Sequence, residues 1–203
     1  VALDARYAQP LAALLPLLGC GEEAAVIGFD RLAAESDLEA ESRQALQAIA
    51  ADERQHDALL RGLQAALPAA APSPAMRRAA RRFHLGLEAG GAAMHLARIA
   101  GIDAAVCTIL SRLLRPKSAL AGERDIARVL GHIRRDEARH VALSREIALA
   151  SIAPNAARDA AGQARAGLAE LLSFGSQALE QLGVDPDALS RDVRSLPPGL
   201  FPG

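Results

Sequence analysis

The chain has 203 residues and a formal net charge of −1, and 51% of its residues are hydrophobic. This length predicts one domain, or one domain with an appendage, and the near-neutral charge argues against a nucleic-acid partner. Aromatic residues make up only 2% of the chain, and β-branched clusters of the kind that strands need are scarce, so the composition predicts an all-α protein.

Cys20 and Cys107 are the only cysteines, and they do not form a Cys-x-x-Cys pair. Reduced thiols in a cytoplasmic protein are the simplest interpretation. No apolar run of about 18 residues is free of charges and helix breakers, so we expect no membrane partner. The first four residues also lack the basic segment and apolar core of a signal peptide.

The first predicted helix covers residues 11–36, and we expect Pro16 and Gly19 to bend its early part. Glu22 lies in the middle of its apolar stripe, next to Glu23. Because an unpaired carboxylate is costly to bury, this stripe predicts a cation or a hydrogen-bond partner for the acid.

The second predicted helix covers residues 38–66, after a turn at Ser36 and Asp37. Asp37 is the expected N-cap, because its side chain can accept from the free N–H groups of the first turn. Glu53 and His56 interrupt the apolar stripe of this helix in the same way as the acid in the first helix does.

Three prolines within residues 67–74 predict a break in helical structure. A third helix is predicted within 75–115, and Gly90 and Gly91 are expected to divide it into a short basic piece and a main piece over 92–115. Asp103 lies at the centre of the apolar stripe of the main piece.

A fourth helix is predicted over 123–150 and a fifth over 156–183, the latter with apolar residues but no central set of metal ligands. The proline-rich residues 184–203 are expected to form an extended tail on the surface. The predicted domain organisation is therefore a helical bundle over 1–183 followed by that tail.

Two stretches, residues 52–56 and 136–140, share the pattern Asp-Glu-x-x-His. Positions three apart on a helix share a face, so each glutamate points with the histidine of its own motif. A carboxylate and an imidazole one turn apart can hold the same metal ion. Two such turns that face each other can therefore hold two ions. If the helices pair in antiparallel fashion, the acids of the first and third helices fall at the height of these motifs.

This arrangement, one carboxylate from each of two helices and Glu-x-x-His from each of two others, resembles the ferritin-like di-iron carboxylate proteins over residues 11–152. The Asp before each Glu is similar to the small subunit of ribonucleotide reductase and to the hydroxylase of bacterial multicomponent monooxygenases. The resemblance implies a four-helix bundle with a crossover between the second and third helices, in which residues 67–91 cross over.

The resemblance also implies roles for individual residues. The implied metal ligands are Glu22 or Glu23, Glu53, His56, Asp103, Glu137 and His140. By the same resemblance Asp52 orients His140 and Asp136 orients His56, which fixes the second N–H of each metal-bound imidazole. Asp103 stands where these families usually have Glu, which leaves its direct binding of metal open. Glu88 is rejected as a ligand, because it lies more than about 20 Å from Asp103 along a helix.

Three residues outside the implied ligand set, Tyr7, His95 and Cys107, bear on which functions the sequence allows. Tyr7 is the only tyrosine, and it lies far from the motifs in the chain, which argues against the radical chemistry of a ribonucleotide reductase. His95 shares a face with Asp103 and either lines a pocket or is a core histidine. Cys107 is interpreted as a small packing residue rather than a nucleophile.

The expected function is an oxygenase or oxidase in which two iron ions activate O2 to oxidise a small organic substrate. Manganese or a mixed manganese–iron pair are alternatives for the metal. The chain offers no redox relay of its own, so an external reductase or ferredoxin is expected as electron donor, and the sequence is compatible with a homodimer. The alternative functions are an iron oxidase or peroxidase like ferritin or rubrerythrin, and a metal-free helical interaction module.

Overall fold

The computed structural model describes residues 4–35, 38–116 and 118–201. All regular secondary structure in these ranges is helical, which confirms the predicted all-α class. The helices are α1 (Ala5–Ala34), α2 (Ala40–Ala65), α3 (Pro74–Leu87), α4 (Ala92–Leu113), α5 (Arg124–Leu149), α6 (Pro154–Leu172), α7 (Ser176–Gln181) and α8 (Pro186–Arg194). A 3-10 turn, Ser173–Gly175, separates α6 from α7. The turn predicted at Ser36 and Asp37 lies outside the described residues.

The first helix starts earlier than predicted, at Ala5 instead of residue 11. The Asp4 side chain accepts a hydrogen bond from the backbone N–H of Arg6 and caps this end. Pro10 and Pro16 both lie inside the helix, where each removes one backbone hydrogen bond without ending it.

The break between α3 and α4 falls at Gly90 and Gly91, as predicted. Both residues adopt positive φ angles, of 90° and 88°. L-residues with a side chain rarely adopt this conformation, so the two glycines end one helix and start the next in a new direction. The segment that was predicted to cross over therefore contains a helix of its own, α3.

The predicted extended tail over 184–203 is wrong for its first half, because Pro186–Arg194 form α8. Asp185 caps this helix by accepting from the backbone N–H groups of the second and third residues that follow it, and Pro186 occupies the first helical position. Leu189 and Val193, one turn apart, are buried where α8 packs against α4 and α6. The cap and this apolar pair are the sequence signal that the high proline content of the segment obscured.

The predicted fifth helix is divided into α6 and α7, and α6 packs closely on α4. A Cβ atom at Gly101 would lie 2.8 Å from the Cβ atom of Ala161. The Arg165 guanidinium is fully buried nearby and donates to the backbone carbonyls of Gly101, Asp192 and Ser195. These contacts tie α4, α6 and α8 into one layer.

Four long helices carry the interior of the protein, with α1 packed on α2, α4 packed on α5, and α2 in contact with α5. Their apolar residues form two separate cores. The first contains Leu11, Leu15, Leu60, Leu63, Ile109, Leu113, Ile126 and Leu130. The second contains Phe29, Leu32, Leu46, Ile49, Leu96, Ile99 and Ala148. Each of the four helices passes from one core to the other. Between the two cores lie Glu22, Glu53, His56, Asp103, Glu137 and His140.

The order of the two cores along each helix gives the helix directions. Helices α1 and α5 run from the first core to the second, whereas α2 and α4 run from the second to the first. Each sequential pair is therefore antiparallel, while α2 and α4 run in the same direction. A chain that connects two parallel helices must return along the bundle, and the segment containing α3 makes this return.

Two helices, α1 and α4, are long and apolar enough to cross a membrane by length and composition alone. Core helices of soluble proteins pass the same test. Here 44% and 56% of the most apolar windows of these two helices are buried inside the protein, and each helix carries one of the buried acids, Glu22 and Asp103. The two cores account for the apolar character of α1 and α4, because both helices contribute side chains to each core. The expectation of no membrane partner stays a prediction.

Candidate metal centre

Six of the seven predicted ligands come together in the middle of the bundle. Each is at most 7% exposed: Glu22 on α1, Glu53 and His56 on α2, Asp103 on α4, and Glu137 and His140 on α5. The seventh, Glu23, is exposed and belongs to no group of residues that could hold a metal ion. Burial therefore favours Glu22 over Glu23 on the first helix, and binding of metal by Glu22 stays a prediction.

The donor atoms form two adjoining groups. Glu22, Glu53, His56 and Glu137 place one donor atom each within 4.8 Å of one another, and Asp103, Glu137 and His140 do the same. Glu137 belongs to both groups. The buried acids and histidines could thus hold metal at two neighbouring positions, one near each histidine.

The two motif glutamates lie between the two imidazoles. The carboxylate oxygens of Glu53 are 3.3 Å from His56 Nδ1 and 2.9 Å from His140 Nδ1, one oxygen to each ring. The oxygens of Glu137 are divided in the same way, at 3.6 Å and 3.8 Å. A carboxylate with one oxygen toward each of two positions has the arrangement of a bridging ligand.

Two buried polar atoms of the cluster have no hydrogen-bond partner among the described residues, Oδ2 of Asp103 and Nδ1 of His140. His140 Nδ1 approaches Glu53 to 2.9 Å, yet the contact does not have hydrogen-bond geometry. Buried polar atoms are rarely left unpaired. Lone pairs directed at a shared cation would account for both atoms, so the residues present fit a metal centre.

The other nitrogen of each imidazole faces the aspartate of the opposite motif. His56 Nε2 lies 3.2 Å from Asp136 Oδ2, and His140 Nε2 lies 3.2 Å from Asp52 Oδ2. An aspartate that accepts from Nε2–H fixes the tautomer in which Nδ1 is free to bind metal. This is the cross-motif pairing that the resemblance implies, and binding of metal by the two histidines stays a prediction.

Arg139 is a residue of the site that the sequence did not reveal. Its guanidinium donates to Asp52 at 2.8 Å and to Asp136 at 3.1 Å, and so links the two aspartates. It occupies one of the variable positions of the second motif, where the first motif has Gln55. Nothing in the spacing distinguished it from an ordinary exposed arginine, because the contact to Asp52 exists only after α2 and α5 pack together.

The electrostatics of the cluster favour a cation. Burial raises the pKa of Glu22, Asp103 and Glu137, and the neighbouring carboxylates raise it further. Burial also raises the pKa of Glu53, but the nearby imidazoles of His140 and His56 outweigh it and lower that pKa to about 2. With all four carboxylates ionised and both imidazoles neutral, as metal ligation requires, these side chains would carry a charge of −4. Two divalent ions, with a total charge of +4, would balance it.

A cavity of about 560 Å³ reaches the cluster. Its walls come from α1, α3, α4 and α6 and are mostly apolar, and Glu22, Glu53, Asp103 and Glu137 form part of its surface. Ile99 lines the cavity, whereas Ala33, Cys107 and Ser144 do not. The contributions of α3 and α6 to the cavity could not be read from the periodicity of the sequence.

The three other residues singled out in the sequence, His95, Cys107 and Tyr7, lie outside the groups that could hold a metal ion. His95 is buried and lines the cavity, and burial lowers its pKa to about 4, so it is neutral. Burial raises the pKa of the half-buried Cys107 thiol to about 12, which makes it a poor nucleophile, and the thiol donates to the Arg134 carbonyl. Tyr7 packs against the first core and belongs to neither metal-ligand group.

Comparisons with protein-family models, with curated proteins and with solved structures found no match to this chain.

Proposed function

We propose that the protein is a ferritin-like di-iron oxygenase that uses O2 to oxidise a small organic substrate. The observation that carries the proposal is the position of the ligand cluster on the wall of a 560 Å³ apolar cavity. A site with this ligand chemistry and an adjoining space for an organic molecule suits oxidation of that molecule. The helix directions, two antiparallel pairs joined by a return segment, support the ferritin-like interpretation.

Each ligand has a distinct part in holding metal. Glu22 and His56 belong to one position, Asp103 and His140 belong to the other, and Glu53 and Glu137 lie between the two. Carboxylates and imidazoles in this proportion suit iron or manganese better than copper. A reduced iron pair at these positions would supply electrons and open coordination sites for O2. The protein contributes a mostly apolar cavity next to these positions, which could hold the organic substrate.

Two alternative functions are less well supported. An iron oxidase or peroxidase like ferritin or rubrerythrin needs a path for iron but no organic cavity. A metal-free interaction module would bury four carboxylates with only two imidazoles to compensate them, which is costly. An electron donor from outside the chain, a reductase or ferredoxin, completes the proposal.

The test is to load the protein with Fe(II) without air, to add O2, and to follow the optical spectrum and O2 consumption. For the wild type we expect about two Fe per chain and a new absorption band within seconds. The Glu22→Gln variant should lose both the bound iron and the absorption band. Glu23→Gln is the matched control, because this neighbouring carboxylate is exposed and should leave both unchanged. A loaded protein that stays colourless and consumes no O2 would contradict the proposal.

A further inference from the structure

The cavity has an inner end and an opening of different character. Its inner surface includes the buried carboxylates of the metal-ligand cluster, Glu22 and Asp103 among them. The lining residues that are exposed lie on α1 and α3 and mark the opening, and Ile27, Arg77 and Arg81 are among them. A ligand that enters must therefore pass between α1 and α3 to reach the centre.

Helix α3 gives the opening a positive charge. It contains four arginines, at positions 77, 78, 81 and 82, and no acidic residue between Pro74 and Leu87. Arg77 and Arg81, one turn apart on one face, line the cavity, whereas Arg78 and Arg82 do not. The concentration of charge is local, because the whole chain carries −1.

The two arginines at the opening are free to bind an anion. Within the part of the chain that the structure describes, no carboxylate forms a salt bridge with Arg77 or Arg81, and Arg77 donates only to the Pro72 carbonyl. Arg31, the third arginine at the opening, is already paired with Glu88. Glu23 is the one other acid at the opening, so a net positive charge remains there.

The rest of the opening is apolar. Ile27 and Leu85 are 54% and 59% exposed, and both line the cavity. Large apolar side chains exposed around a pocket are typical of a binding site. Deeper in the cavity, Leu17, Val106 and Leu168 continue the apolar wall toward the metal-ligand cluster.

We propose that the cavity binds an amphiphilic monocarboxylate, with its carboxylate at Arg77 and Arg81 and its apolar chain directed toward the metal-ligand cluster. The proposal depends on the proposed function only for the role of this molecule as substrate. Binding itself needs no metal, because the arginines and the apolar wall are present in the chain alone. In this orientation the apolar end of the molecule is the end presented to the metal centre.

The probes are decanoate, 1-decanol and decylamine, which share a ten-carbon chain and differ in the charge of the head group. Their affinities for the metal-free protein are measured by calorimetry at constant ionic strength. Decanoate should bind about tenfold more tightly than 1-decanol, because it gains charge-assisted hydrogen bonds, and decylamine should bind least well. Each methylene removed from the acid should weaken binding about fourfold, since the chain is buried.

Variants on α3 provide a matched comparison. Arg81→Gln should weaken decanoate binding about tenfold and leave 1-decanol unchanged. Arg82→Gln removes the same charge from the next position, which does not line the cavity, and should change neither. Circular dichroism confirms that both variants are folded.

Three results would overturn the proposal: equal binding of the acid and the alcohol, equal effects of the two arginine variants, or no binding of any probe. Binding that appears only after metal loading and is insensitive to Arg81→Gln would place the carboxylate on the metal and would equally overturn it. All these measurements except the last use metal-free protein. A failure of O2 activation and a failure of this proposal are therefore distinguishable.

Discussion

The Nε2 atom of His56 lies 3.2 Å from the Oδ2 atom of Asp136, although 80 positions separate the two residues in the chain. His140 and Asp52 make the reciprocal pair. Each Asp-Glu-x-x-His motif therefore supplies a histidine that the other motif orients. The two motifs are interdependent. Substitution of the aspartate in one motif should alter the orientation and basicity of the histidine in the other.

Asp136→Asn should weaken metal binding although the residue contacts the proposed metal positions only through His56. An amide accepts from Nε2–H more weakly than a carboxylate does, so the imidazole loses basicity and a fixed orientation. We expect the affinity for Fe(II) or Co(II) to fall about 10-fold to 100-fold, as measured by competition with a chelator. Asp57→Asn is the control, because this residue follows His56 directly but pairs with Arg61 at the surface. Equal affinities of the wild type and Asp136→Asn would contradict the role of the aspartate.

Arg139→Gln tests whether the link between the two aspartates matters. The guanidinium holds Asp52 and Asp136 at the same time, so its loss should loosen both histidines at once. Because Arg139 is exposed and both aspartates remain, we expect a smaller loss of metal affinity than in Asp136→Asn, about threefold to tenfold. Arg135→Gln, one turn earlier on α5 and also exposed, should have no effect. A loss of equal size in both variants would indicate a general effect of charge.

The ligand cluster could be predicted from the sequence because its signal is local. Glu53 and His56 are one turn apart in one helix, and an apolar stripe on both sides shows that this face is buried. The antiparallel pairs followed from short connections and matching heights of the acids. The apolar stripe favoured Glu22 over Glu23, whereas the spacing implied by the resemblance allowed either, and the structure shows that Glu22 is buried and Glu23 is exposed.

The parts that could not be predicted depend on contacts between distant segments. The arginines of α3 are visible in the sequence, but their position over the cavity follows from the packing of α3 against α1 and α6. Arg165 reads as a surface residue and is instead fully buried, because three backbone carbonyls accept from it. Helix α8 was missed because the prolines around it outweighed its capping residue.

The contact between α4 and α6 predicts a pair of glycine variants with opposite effects. In Gly101→Ala the new Cβ atom would lie 2.8 Å from the Cβ atom and 3.0 Å from the Cα atom of Ala161, so the two helices must separate. We expect the free energy of unfolding in urea to fall by about 1–3 kcal/mol. Gly62→Ala adds the same methyl group to α2 with no atom within 4 Å and should raise it by about 0.5–1 kcal/mol. A neutral Gly101→Ala would show that this interface is less tight than described.

The metal-free protein should lose stability as the pH rises. The pKa of Glu22 is raised above 4.5 by burial and the pKa of Asp103 is raised above 3.8 by the same cause, so the folded protein holds protons that the unfolded chain releases. The stability they contribute is present below those ordinary values and is lost as the pH rises through the raised ones. The pKa of His140 is also raised, which adds a loss of the same sign above 6.5. Glu53, whose pKa is lowered to about 2, acts in the opposite sense below about 4.5. His84 and His95, whose pKa values burial lowers to about 4, also act in the opposite sense, between about 4 and 6.5, so the fall in stability stands alone above about pH 6.5.

The measurement is the free energy of unfolding of metal-free protein between about pH 6.5 and pH 9, compared with the metal-loaded protein. The metal-free values should fall across this range while the loaded values fall less, because bound metal replaces the protons. Glu22→Gln should flatten the metal-free curve and make the protein more stable at high pH, yet weaken its binding of metal. Glu23→Gln should leave both properties unchanged. A metal-free protein that gains stability with pH, or a Glu22→Gln variant that is destabilised at high pH, would show that the carboxylates are held by protein contacts and do not await a cation.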